Sequence, residues 1–348
     1  MSVWRQKLAE MSYPLLRPWL FELEAETAHH WTLAAMRLGA RCGLLTGDPP
    51  VVNPVEVCGL KFPNRVGLAA GMDKAGNAVD GFGALGFGFV EVGTLTPVAQ
   101  PGNPAPRLFR ILTRQGIINR MGFNNPGIEA GMVNVKRRKY RGVLCVNLGK
   151  NFFTPNEQAS DDYLAGLRGA WREADYVVVN LSSPNTKGLR DLQEAESARS
   201  LIRALHAEQE ILRQRWQKHV PVWIKIAPDL APPQLQSLTR VFMEENLEGV
   251  IATNTTLSRK HVEGLKYGAE TGGLSGAPLT RRATETIASL AEQLQGCLPI
   301  IGVGGIMTAT DAVEKIQAGA TLVQLYTGLV YSGPALVREC ITALGTFK

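Results

Sequence analysis

Short apolar runs alternate with helix-length amphipathic segments through most of this chain. The runs are Arg65–Ala70, Gly88–Gly93, Gly142–Leu148, Tyr176–Leu181, Val220–Ala227, Gly249–Thr253, Pro299–Val303 and Thr321–Tyr326. Several, such as Tyr176-Val-Val-Val-Asn-Leu181, are almost uninterrupted, the pattern of parallel strands covered on both faces. Eight such units in alternation predict an α/β fold, a closed (β/α)8 TIM barrel rather than an open doubly wound sheet.

Upstream the pattern changes. Ala28, Trp31, Ala35, Leu38, Cys42 and Leu45 recur at steps of three and four, while Leu33, Met36, Ala40 and Leu44 line a second face. This predicts a helix with apolar cover on two sides. Pro14 and Pro18 are expected to divide the chain before it into short segments. Thr46-Gly-Asp-Pro-Pro-Val-Val-Asn-Pro54 reads as a turn-rich linker. The expected division is a small N-terminal helical extension, residues 1–46, and a barrel, residues 47–348. The stretch from Ile316 to Val337 carries no charge and is long enough for a bilayer, but its glycines, Pro334 and polar positions split it into helix end, strand and loop.

Composition adds boundaries. Hydrophobic residues at 45% and charged residues at 20% suit a globular chain with a large core. The net charge of +6 admits an anionic substrate, a phosphate-bearing cofactor or an acidic lipid surface and selects none. Five cysteines without a CxxC pair argue for a reducing compartment, and neither they nor the five histidines have metal-ligand spacing. Arg5, Lys7, Glu10 and Pro14 interrupt any secretory signal. Lys136-Arg-Arg-Lys-Tyr-Arg141 reads as a solvated helix end, so no nucleic-acid partner is expected.

The working face of such a barrel lies at the C-terminal ends of its strands. In order, those ends give Ala69-Ala-Gly-Met-Asp-Lys74, Thr94, Asn147-Leu-Gly-Lys-Asn151, Asn180-Leu-Ser-Ser-Pro-Asn-Thr186, Lys225, Thr253-Asn-Thr-Thr256, Gly302-Val-Gly-Gly305 and Tyr326-Thr-Gly328. A mouth of amides, hydroxyls and lysines lacks the paired carboxylates of a glycosidase and the ligands of a metal hydrolase. It suits a planar ligand with carbonyl and N–H groups plus an anionic group. Gly302–Gly305 and Tyr326–Gly328 follow the last two strands, where such barrels bind phosphate on backbone N–H groups. Gly272-Gly-Leu-Ser-Gly276 is a further backbone contact or a flexible loop. Ser183 is a base on a loop or a turn-forming serine before proline. Lys225, inside an apolar strand, favours an anionic partner in the mouth.

Six motifs together resemble the class 2, quinone-dependent dihydroorotate dehydrogenases. They are Gly67-Leu-Ala-Ala-Gly-Met-Asp-Lys74, Ile118-Asn-Arg-Met-Gly-Phe-Asn-Asn125, Asn180-Leu-Ser-Ser-Pro-Asn-Thr186, Ile251-Ala-Thr-Asn-Thr-Thr256, Gly272-Gly-Leu-Ser-Gly276 and Ile301-Gly-Val-Gly-Gly-Ile306. The resemblance implies oxidation of (S)-dihydroorotate to orotate, in de novo pyrimidine synthesis, with FMN as hydride acceptor. It assigns FMN to Ala69, Ala70, Gly71, Met72, Asp73, Lys74, Thr94, Asn147, Asn180, Lys225, Thr253, Gly276, Gly305, Tyr326 and Thr327. It assigns substrate to Lys74, Asn119, Arg120, Met121, Gly122, Phe123, Asn180, Asn185, Asn254 and Thr255, and makes Ser183 the base that removes the C5 proton. Serine at this position, where relatives using fumarate or NAD carry cysteine, implies a quinone acceptor. The extension, with Trp4, Leu15, Leu16, Trp19, Leu20 and Phe21 among Arg5, Lys7 and Arg17, then reads as a peripheral anchor on the cytoplasmic face of the cell membrane. It would open a tunnel in which His29 and Arg110 meet the quinone head; the alternatives are a plain helical cap and a surface histidine, with His30 adjacent. A monomer is the expected assembly.

Overall fold

The structure, a computed structural model, describes residues 3–45, 47–186 and 188–347, without the side chains of residues 3–11. The expected roles of Trp4, Arg5 and Lys7 therefore fall outside the described side chains.

Among the described residues thirteen strands are formed: β1 (Val55–Val57), β2 (Leu60–Phe62), β3 (Val66–Leu68), β4 (Phe89–Leu95), β5 (Leu108–Ile111), β6 (Gly116–Asn119), β7 (Val143–Leu148), β8 (Tyr176–Asn180), β9 (Val222–Ile226), β10 (Gly249–Ala252), β11 (Gly273–Gly276), β12 (Ile300–Val303) and β13 (Leu322–Leu325). Each of the eight apolar runs supplies one strand of a closed parallel barrel, ordered β3-β4-β7-β8-β9-β10-β12-β13 and back to β3. Alternate side chains explain the lack of polar interruption. Phe89, Cys145, Tyr176, Val178, Trp223, Ile251 and Leu322 fill the interior. Their neighbours Val90, Val92, Val177, Val179, Ile224 and Val250 pack outward beneath the helices.

The β1–β2 hairpin stops the lower end. Phe62 is fully buried and meets Phe89 edge-on at 5.3 Å between centroids. The C-terminal end is left as the open mouth. Beside it β5, β6 and β11 form an antiparallel sheet absent from the sequence reading. Gly273–Gly276, read as a contact or a loop, is its third strand. The stretch from Ile316 to Val337 divides as expected, with β13 between two helices.

The extension is two helices, α1 (Val3–Glu22) and α2 (Ala25–Arg41). This corrects the division expected at Pro14 and Pro18, both of which lie inside α1. The two prolines are four residues apart on an exposed face, so the carbonyls they leave unbonded meet solvent and the helix continues. The Glu24 carboxylate caps α2 by accepting from the Glu26 and Thr27 N–H groups at 2.9 and 2.8 Å. One side of α2 packs Leu33 and Met36 on the barrel, as expected. Protein does not cover the other: Trp31 and Leu38 are each 63% exposed, continuing a surface begun by Leu15, Leu16 and Trp19. Among the described residues no helix is long and apolar enough to cross a membrane.

Candidate active site

The strand ends surround a cleft of ≈ 1000 Å³, its open mouth included. It is lined by Ala69, Ala70, Gly71, Lys74, Thr94, Asn180, Lys225, Thr253, Gly276, Gly305, Tyr326 and Thr327, and by Asn119, Met121, Gly122, Phe123, Ser183, Asn185, Asn254 and Thr255. Most of the expected site residues are thus brought together.

Four are not on the lining. Asn147 lies one layer below, accepting from Thr94 Oγ1 at 2.5 Å and donating to Glu91 Oε1 at 2.5 Å. The Asp73 carboxylate turns away to accept from the Asn77 and Ala78 N–H groups; burial pushes its pKa up while these backbone donors pull it down. The Met72 side chain lines a different cavity. Arg120 directs its guanidinium to Glu270 at 2.6 Å and over the Phe109 ring.

The floor is a hydrogen-bonded amide lattice. Asn180 Nδ2 donates to Thr94 Oγ1 at 3.1 Å, and Ser182 Oγ donates to Asn180 Oδ1 at 3.0 Å. Asn254 Nδ2 donates to Ser182 Oγ at 2.9 Å, and Asn185 Nδ2 to Asn119 Oδ1 at 3.2 Å. Each amide orients the next, so its remaining donors and acceptors face the cleft in fixed directions. Lys225 Nζ stands 3.9 Å from the buried Glu91 carboxylate, a protein anion that the sequence reading did not find. Gln324 also lines the cleft unforeseen, and its buried Oε1 has no protein partner.

Ser183 is 5% exposed and lines the cleft while its Oγ accepts from the Asn185 N–H at 3.2 Å. It is a turn-forming serine and a cleft hydroxyl at once. On the opposite wall, Gly276 (φ +88°) and Gly305 (φ +72°) present bare backbone. A Cβ on Gly305 would stand 2.3 Å from Thr280 Cα, and one on Gly276 2.2 Å from the Gln115 carbonyl. Only glycine fits at either position.

A second cavity of ≈ 1370 Å³, its opening likewise included, lies between the extension and the barrel, lined by Leu16, Leu20, Ala28, His29, Met36, Met72 and Arg110 among others. Tyr326 lines both cavities and forms a shared wall. Arg110 donates to the Leu20 carbonyl at 3.0 Å and to that of Leu23, holding the end of α1, and stacks over Phe21. Burial, then the positive charges of Lys74 and His30, depress the His29 pKa to about 3. Its imidazole stays neutral in the folded chain, whereas the unfolded chain takes up that proton near pH 6.5. The stability this residue contributes is therefore complete above about 6.5 and lost as pH falls below it. His29→Gln is expected to flatten the fall in melting temperature between pH 7 and 5, measured by calorimetry.

Fold and site together define a (β/α)8 barrel of the kind that carries its chemistry at the C-terminal strand ends, here in a cleft of amides, hydroxyls and lysines. The family model described as dihydroorotate dehydrogenase matches residues 53–347. A dihydroorotate dehydrogenase (quinone) of Akkermansia muciniphila is 56% identical over 336 residues, covering 95% of this chain and 96% of that protein. One of Nitrosospira multiformis is 54% identical over 334 residues, covering 96% of each. Among solved structures, dihydroorotate dehydrogenase of Eimeria tenella in complex with ferulenol superposes with a TM-score of 0.84 at 40% identity, covering 92% of this chain and 90% of that one. The chain belongs to the dihydroorotate dehydrogenase family, whose members are flavin-dependent oxidoreductases.

Proposed function

We propose that this chain oxidises (S)-dihydroorotate to orotate through FMN and passes the electrons to a membrane quinone. The observation that carries this reading is the pair of cavities, one lined with amides, hydroxyls and lysines and the other almost wholly apolar, with Tyr326 in the lining of both.

The residues present fit FMN. Lys225, Asn180 and the unpartnered Gln324 Oε1 offer the mixed donors and acceptors that an isoalloxazine edge needs. The bare backbone at Gly276 and Gly305, beside Thr327, suits a phosphate. Bound there, FMN would accept hydride from substrate C6 and release the electrons to quinone. Lys225, with Glu91 beneath, would place positive charge where the reduced ring gathers negative charge. Asn119, Asn185 and Asn254 would hold the cyclic diamide, and Ser183 Oγ would take the C5 proton while giving up its own hydroxyl proton to solvent in the cleft, with the Asn185 N–H supporting the negative charge on Oγ as that proton leaves. The extension, residues 1–46, would seat the quinone beside His29 and Arg110 and rest its exposed Trp19, Trp31 and Leu38 on the cytoplasmic face of the cell membrane.

Anaerobic titration with dihydroorotate should bleach the flavin, and a quinone analogue should restore the colour while fumarate does not. Reoxidation by fumarate at a comparable rate would move the protein to the soluble-acceptor class.

Lys74 supplies a pH test. Burial depresses its pKa to about 8, against the raising effect of Glu26 and Asp73. The ammonium that would meet the substrate carboxylate is lost as pH rises through about 8. KM for dihydroorotate is expected to climb above that pH, and a flat profile to pH 9 would remove Lys74 from carboxylate binding.

A further inference from the structure

Glu26 belongs to the extension, yet it is a buried acid on the face of α2 turned toward the barrel. Its carboxylate is gripped by one guanidinium: Arg107 Nε donates to both oxygens at 3.2 and 3.0 Å, and Nη2 to Oε1 at 2.8 Å. Both side chains are shielded, 14% exposed for Arg107 and 10% for Glu26. The remaining donor, Nη1, is shared by the carbonyls of Pro101 and Asn103, each at 2.7 Å. Arg107 thus pins α2 and the loop from Gln100 to Arg107 to each other.

That loop backs the segment expected to touch substrate. Asn103 N–H donates to the Met121 carbonyl at 3.0 Å, and Asn103 Nδ2 to the Arg120 carbonyl at 2.8 Å. Arg120 N–H returns to the Arg107 carbonyl at 2.9 Å, and Gln100 Nε2 donates to the Gly122 carbonyl at 2.9 Å. A Cβ on Gly102 would stand 2.2 Å from the Met121 carbonyl oxygen, so the two strips of backbone have no slack between them. The other side of this segment, with Asn119, Met121, Gly122 and Phe123, lines the cleft.

We propose that the Glu26–Arg107 pair is a positioning device by which the N-terminal extension sets the placement of residues 119–123, and with it the affinity for the anionic substrate. This rests on the reading of that segment as the dihydroorotate site. A shielded, forked pair is one in which deleting either partner strands the other. Without Glu26, Arg107 turns toward solvent and the carbonyls of Pro101 and Asn103 lose their donor. The loop relaxes, and the segment behind it shifts. Glu26 also contributes negative charge near Lys74, raising its pKa, so its removal acts on the same substrate carboxylate by a second route.

The test is orotate binding to the intact holoenzyme, followed by the change in flavin absorbance, for wild type, Glu26→Gln, Arg107→Lys and the double variant. Arg107→Lys keeps the charge and loses the fork, and so serves if Glu26→Gln accumulates poorly. Each single variant is expected to bind orotate about tenfold more weakly at unchanged flavin content, with the double variant no weaker than the singles. KM for dihydroorotate should rise while kcat stays near wild type, and in Glu26→Gln the climb of KM should begin at a lower pH. Orotate affinity within twofold of wild type in either single variant, or additive losses in the double, would overturn the proposal. Wild-type protein that ignores orotate would overturn the substrate reading beneath it.

Discussion

Ser183→Ala should slow reduction of the bound flavin by dihydroorotate about 10²- to 10⁴-fold, the range expected when a positioned proton acceptor is removed. Flavin content should be unchanged, because among the described residues the Ser183 hydroxyl bonds only the Asn185 N–H and none of the groups expected to hold FMN. Orotate should still bind, since the amide lattice of Asn119, Asn180, Asn185 and Asn254 keeps its members. Anaerobic stopped-flow that follows the flavin absorbance separates these outcomes. Reduction at the wild-type rate would leave Ser183 as a turn residue and nothing more.

The second large effect is expected in the apolar cavity. Ala28 is buried on α2 and faces that space. Ala28→Phe places a ring where a quinone would enter. Reoxidation by a quinone analogue should fall about 10- to 100-fold, since overpacking by a ring costs about 1–3 kcal/mol and each 1.4 kcal/mol is a factor of ten. Reduction by dihydroorotate should be untouched, because Ala28 lines the apolar cavity and not the cleft. Equal loss in both half-reactions would show that the cavity is not a separate acceptor site.

The barrel was legible because parallel strands buried on both faces must be apolar at nearly every position, and Tyr176-Val-Val-Val-Asn180 has no other ready explanation. The cleft's position was legible because strand ends are countable once strands are found, whereas Asn119 to Phe123, off the barrel strands, were reached only through the resemblance. Other features carried no local signal. The β5–β6–β11 sheet is built from four-residue strands, and β11 is glycine-rich for a reason visible only in three dimensions: a Cβ on Gly273 would stand 1.9 Å from Thr255 Oγ1. Pro14 and Pro18 read as breaks because whether a freed carbonyl meets water depends on the face it occupies. Glu26 carries no local signal of its burial, since the cation that holds it lies 81 residues away. Glu91 was hidden similarly inside an apolar strand, its partners Asn147 and Lys225 coming from two other strands.

The Tyr326 wall carries a consequence for how the reaction is partitioned. A water-borne acid and an oily ring have no common solvent in which to meet, and here neither is asked to leave its own phase. One aromatic side chain touches the aqueous compartment and the greasy one alike, so the donor can be a salt and the acceptor a lipid while a single carrier serves both.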